Sequence, residues 1–116
     1  MEEYIRTIRR ILGNEKFNKL SHELYEKVDK KYRKISIDDA NEIVNFNLAN
    51  ILVIAIEKAR GCEKKDIIKV ISWYNLGPKS FLLEKQISNF EENYSEYIAL
   101  IIKKVKEDKV LEESNI

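Results

Sequence analysis

Few residues that do chemistry are present, and their spacing does not favour it. His22 is the only histidine and Cys62 the only cysteine. A hydrolytic triad or a His-rich metal site needs more than that. His22 follows Ser21 on a helical stretch and reads as a surface histidine. Asp38 and Asp39 are adjacent, and adjacent helical residues point in different directions. They read as first-turn acids rather than an acid/base pair. Glu91-Glu92 reads as a solvated face. Gly13, Gly61 and Gly77 are isolated, so no glycine-rich phosphate loop is built. The expectation is a non-enzyme with no catalytic residue, no cofactor and no metal. Only carboxylates converging from distant segments would change that.

Charge is distributed with more purpose. Residues 1–34 hold ten Lys/Arg against six Asp/Glu, while residues 80–116 hold five against eight. The overall net charge of +1 hides this polarity. The densest basic run is Lys30, Lys31, Tyr32, Arg33, Lys34. Lys and Arg on a loop can reach a nucleic-acid backbone without reading bases. A solvated face has the same composition, so charge alone does not separate the two.

These residues need elements to position them, and the elements are helical. With three Gly and one Pro in 116 residues, little of the chain can be loop. No apolar/polar alternation is flanked by turn residues, so strands are not expected. A first helix is expected over residues 2–12, with Ile5, Ile8, Ile11 and Leu12 as its stripe and Gly13-Asn14 as its stop. A second runs over 15–29, where Phe17, Leu20, Leu24 and Val28 share a face. The third starts at Ser36 or Asp38 as cap and runs to Arg60, with Gly61 as stop. At about 1.5 Å per residue it would span roughly 33 Å. Its apolar residues, among them Phe46, Val53, Ile54 and Ile56, cover more than one face. Such a helix must be buried nearly all round. One small domain is hard pressed to cover it, so a second copy of the chain is expected. A fourth helix spans 64–74, with Ile67, Ile68, Val70, Ile71 and Trp73 apolar, and Asn75-Leu76-Gly77-Pro78 breaks the chain. A single last helix is expected over 79–109. Its residues Leu83, Ile87, Phe90, Tyr94, Tyr97, Ile101 and Val105 approximate a coiled-coil seam, or the stripe of a helix packed on its own domain. Residues 110–116 read as a frayed tail.

Hydrophobic residues make up 44% of the chain and charged residues 35%, enough of both for one soluble domain. Gln86 is the only Gln and Thr7 the only Thr. Heat-adapted proteins show such usage, and AT-rich genomes produce it too. A lone cysteine fits a reducing cytosol. Arg6, Arg9 and Arg10 interrupt the N-terminal stretch, so no signal peptide is expected. The apolar run 51–56 is far short of the roughly 20 residues that span a bilayer. The expected location is the cytoplasm.

The order of several weak motifs resembles a histone fold, in particular the divergent, non-nucleosomal histone-like proteins of bacteria and archaea. Lys16-Phe17-Asn18-Lys19-Leu20 is similar to their entry segment. Ser36-Ile37-Asp38-Asp39-Ala40 is similar to the entry to their long helix. Residues 55–68, AIEKARGCEKKDII, resemble a stretch of theirs ending in Arg-Asp-Val-Ile. Asn75-Leu76-Gly77-Pro78 with Leu83, Ile87 and Phe90 resembles their turn and following helix. The chain departs from nucleosomal histones at the second loop. It has Glu63-Lys64-Lys65 where they carry Arg-Thr, and its loop is several residues shorter.

The resemblance implies one all-α domain over residues 1–116. It would comprise an extra N-terminal helix at 1–13, a short–long–short core at 16–75 and a long C-terminal helix at 79–109. It implies a homodimer, or a tetramer, joined along residues 39–60 through Ile43, Val44, Leu48, Ile51, Leu52 and Ala55. The first loop of one chain would then lie beside the second loop of the other. Lys30, Lys31, Arg33 and Lys34 would meet Arg60, Lys64 and Lys65 and bind double-stranded DNA without sequence preference, placing the protein on the nucleoid. The competing expectation is a helical adaptor or immunity-type protein that binds another protein through the C-terminal helix, with Phe81, Phe90, Tyr94 and Tyr97. A small subunit of a replication or transcription complex is a third.

Overall fold

A computed structural model describes residues 2–73 and 84–107. Among them are six α-helices and no strand: α1 Glu2–Leu12, α2 Asn14–Lys31, α3 Ile37–Ala59, α4 Lys64–Trp73, α5 Glu84–Asn93 and α6 Ser95–Glu107. The all-α expectation holds. The Asn75–Pro78 break, Phe81, Leu83 and the 110–116 tail lie outside the described residues. Two compact units share the chain, Met1–Ala49 and Asn50–Ile116, and α3 belongs in part to each.

In the first unit, α1 and α2 form a hairpin. Glu2 and Glu3 occupy the first turn of α1 and Arg9 and Arg10 the last, each suiting the helix dipole. Gly13 closes α1, its amide donating to the Arg9 carbonyl at 2.8 Å, and its own carbonyl accepts from Phe17 at 2.9 Å to open α2. Its φ of 85° is a backbone shape that a side chain would strain. Across the hairpin the Arg9 guanidinium lies 4.6 Å from the Phe17 ring centroid. The buried residues are those the periodicity marks: Ile8, Ile11 and Leu12 on α1, and Phe17, Leu20, Leu24 and Val28 on α2. From α3, Ala40, Val44, Leu48 and Ala49 are buried as well.

Ser36 caps α3: the Asp39 amide donates to Ser36 Oγ at 3.1 Å. Farther along, eight consecutive residues, 48–55, are all buried. That is more than two helical turns, so the helix is enclosed on every side there. Its N-terminal half is one-sided, with Asn41 and Glu42 exposed. The chain itself covers Val44, Leu48, Ile51, Leu52 and Ala55, none more than 5% exposed.

In the second unit, α3 ends in a Schellman turn. The Gly61 amide donates to the Lys58 carbonyl and the Cys62 amide to the Glu57 carbonyl, both at 3.0 Å, with Gly61 at φ 85°. Then α4 buries Ile67 and Ile71, and α5 buries Ile87. Two polar links hold α5: Lys58 Nζ donates to Glu91 Oε2 at 3.0 Å, and Lys64 Nζ to Ser88 Oγ at 2.7 Å.

The last helix differs from the expectation. It is interrupted at Tyr94, although the Tyr94 amide still donates to Phe90 and the Ile98 amide to Tyr94. Asn93 and Ser95 flank the break, residue types that disfavour helix interiors. The stripe of Ile87, Tyr94, Tyr97, Ile101 and Val105 is buried within the chain. It is a packed amphipathic face rather than a free coiled-coil seam.

The burial pattern makes a simple prediction. Ile51→Ala should lower stability by about 2–5 kcal/mol, because Ile51 is fully enclosed. Ile37→Ala, at a position 68% exposed, should change it by less than about 0.5 kcal/mol. Urea unfolding followed by circular dichroism measures both. Equal effects would contradict the packing.

Candidate nucleic-acid interface

The connection from α2 to α3 is short and pinned at both ends. On the α2 side the Tyr32 amide donates to the Val28 carbonyl at 2.9 Å, and the Ile35 amide to the Tyr32 carbonyl at 3.4 Å. On the α3 side stands the Ser36 cap. Lys34 lies between them at φ 67°, the left-handed region. For a residue with a Cβ that costs about 1–2 kcal/mol, so the turn is held by its surroundings.

Lys30, Lys31, Arg33 and Lys34 are all exposed. Lys30, Arg33 and Lys34 make no ion pair or side-chain hydrogen bond with the described residues. Lys31 Nζ sits 5.3 Å from the Tyr32 ring centroid, within cation–π range. Asp29, Asp38 and Asp39 are exposed on the adjoining helix ends and offset part of the charge.

The second basic set is differently placed. Arg60, Lys64 and Lys65 are exposed, yet each is engaged. Arg60 pairs with Glu57 at 3.2 Å, Lys65 with Glu63 at 3.7 Å, and Lys64 donates to Ser88. The first set precedes α3 and the second follows it, so the loop-to-loop meeting implied by the resemblance would require another chain. Of the expected dimer contacts, Ile43 is half-buried and the other five are buried by the chain itself. A handshake along residues 39–60 would first have to open that packing.

The remaining candidates are accounted for locally. His22 Nε2 lies 3.0 Å from Glu26 Oε1 on an exposed helix face. Among the described residues, no group of three His, Cys, Asp or Glu could hold a metal ion, and no helix is long and apolar enough to cross a membrane. Tyr94 and Tyr97, offered as a protein-binding surface, are buried, and Phe90 is half-buried. Sequence reasoning did not mark two residues as exposed apolar surface. Among the described residues, Tyr32 and Ile37 are the exposed large hydrophobic ones, at 42% and 68%. A signal for Tyr32 existed: it continues the α2 stripe four residues past Val28, but the helix stops at Lys31.

Cys62 has a defined environment. Its Sγ donates to Glu57 Oε2 at 3.3 Å. That hydrogen bond first, then burial, then the charges of Glu57 and Asp66, push the thiol above its ordinary range, while Arg60 opposes them. The thiolate is the reactive form, so Cys62 should react sluggishly at mildly alkaline pH. Glu57→Gln should lower the thiol pKa and speed alkylation. A rate unchanged or slower would show that the carboxylate does not control it.

Compared with protein-family models, curated proteins and solved structures, the chain has no match.

Proposed function

We propose that this protein binds nucleic acid without sequence preference, through phosphate contacts made by Lys30, Lys31, Arg33 and Lys34, in the manner of a histone-like architectural protein. One observation carries the reading: four exposed cations within five residues, two in the last turn of α2 and two on the pinned connection that follows, none of them in an ion pair with the described residues. A held loop presents its charges with little entropy left to lose. Arg60, Lys64 and Lys65 are a weaker second set, because each must release a partner within the chain. Double-stranded DNA is the partner that the histone likeness implies.

Four phosphate contacts give a log–log salt slope of about −3 to −4, or roughly a hundredfold loss of affinity for duplex from 50 to 200 mM salt. Fluorescence polarisation with a labelled duplex should show that slope, and replacing the four cations with Ala should remove binding. Absence of binding at low salt, or full binding by the quadruple variant, would sink the reading.

The homodimer is supported by the likeness alone and would need the chain to open along α3. Light scattering tests it: twice or four times the mass of one chain, 13.7 kDa, would support the handshake, and the mass of one chain would remove it.

A further inference from the structure

We propose that Tyr32 is a stacking platform for an unpaired base, so that the α2–α3 loop takes single-stranded nucleic acid in preference to duplex. The proposal rests on the phosphate-binding reading of the same loop and adds the class of nucleic acid.

Tyr32 is placed for the task. The residue is 42% exposed at the C-terminal cap of α2, and its backbone amide is tied to Val28. The ring is therefore displayed from a fixed point. Two cations precede it and two follow it, so a strand crossing the loop meets cations on either side of an aromatic ring. Lys31 already lies against the ring. Alternating backbone cations with a base-sized aromatic surface is the arrangement that single strands require.

Charge balance argues the same way. The four cations on and before the loop are partly offset by exposed Asp29, Asp38 and Asp39, and the whole chain carries only +1. Electrostatics alone then give a weak site on any polyanion. A stacked base adds roughly 5- to 150-fold in affinity, comparable with the phosphate term. Only an unpaired base offers its face, because in a duplex both faces are already covered by neighbouring bases. Phosphate contacts, by contrast, exist on either form.

The test is a polarisation titration at one salt concentration. The probes are a labelled mixed-sequence single strand, as DNA and as RNA, and the same DNA as duplex. Wild type should bind the single strands more tightly. Tyr32→Ala should weaken single-strand binding roughly 5- to 150-fold and leave duplex binding unchanged. Tyr32→Phe should keep the wild-type affinities, since stacking needs the ring and not the hydroxyl. Circular dichroism should show both variants folded, because the capping bond comes from the backbone.

If wild type binds but Tyr32→Ala loses nothing, or loses equally on both forms, stacking is wrong and the phosphate reading stands. If wild type binds neither form at low salt, both are wrong. Binding to anionic phosphatidylserine vesicles that depends on Tyr32, without oligonucleotide binding, would overturn the proposal in favour of a membrane surface.

Discussion

The enclosure of residues 48–55 on α3 is the constraint on which the rest depends. A helix buried on every side needs apolar cover from other elements of the chain. The second unit also buries Ile67, Ile71, Ile87, Ile98, Ile101 and Val105. In the first unit, where α3 is one-sided, α1 and α2 bury apolar stripes of their own. Each fully buried Leu or Ile contributes about 1.5–3 kcal/mol, so the middle of α3 concentrates much of the stabilisation. Asn50 is the one polar residue in that stretch, and its Oδ1 accepts no hydrogen bond from the described residues. Leaving a buried acceptor unpaired costs about 1–3 kcal/mol, which the apolar residues on either side offset.

Helix boundaries were legible because their causes are local. Gly13 and Gly61 must take positive φ, and Ser36 must find an amide three residues on. Each is decided by residues within one turn. The buried stripes were legible for the same reason, since period and face are properties of a single helix. The coverage of α3 was not. Whether a helix that is apolar all round meets its own chain or another depends on where the other helices go, and no local pattern states that. The interruption at Tyr94 is illegible for a different reason. The spacing of the stripe runs through it unbroken, because helical hydrogen bonds continue on both sides of the interruption.

The basic residues show the same division. Arg60–Glu57 and Lys65–Glu63 are neighbours in sequence, and their pairing could have been anticipated. Lys64 with Ser88 joins α4 to α5 and could not. Pairing within the chain separates the two basic sets more sharply than composition does. One set spends its charge on the fold, and the other leaves it to solvent.

Even the free set divides. Lys30 and Lys31 occupy the last turn of α2, and Asp38 and Asp39 the first turn of α3. Helix dipoles favour both placements, with no ligand required. Arg33 and Lys34 belong to no helix and serve no dipole. Lys34 sits in a left-handed conformation that a glycine or asparagine would adopt at lower cost. Tyr32 beside them leaves much of a large ring in water. The needs of the fold explain the charges at the helix ends, but not these three residues. They are therefore the residues on which the case for a ligand at this loop depends.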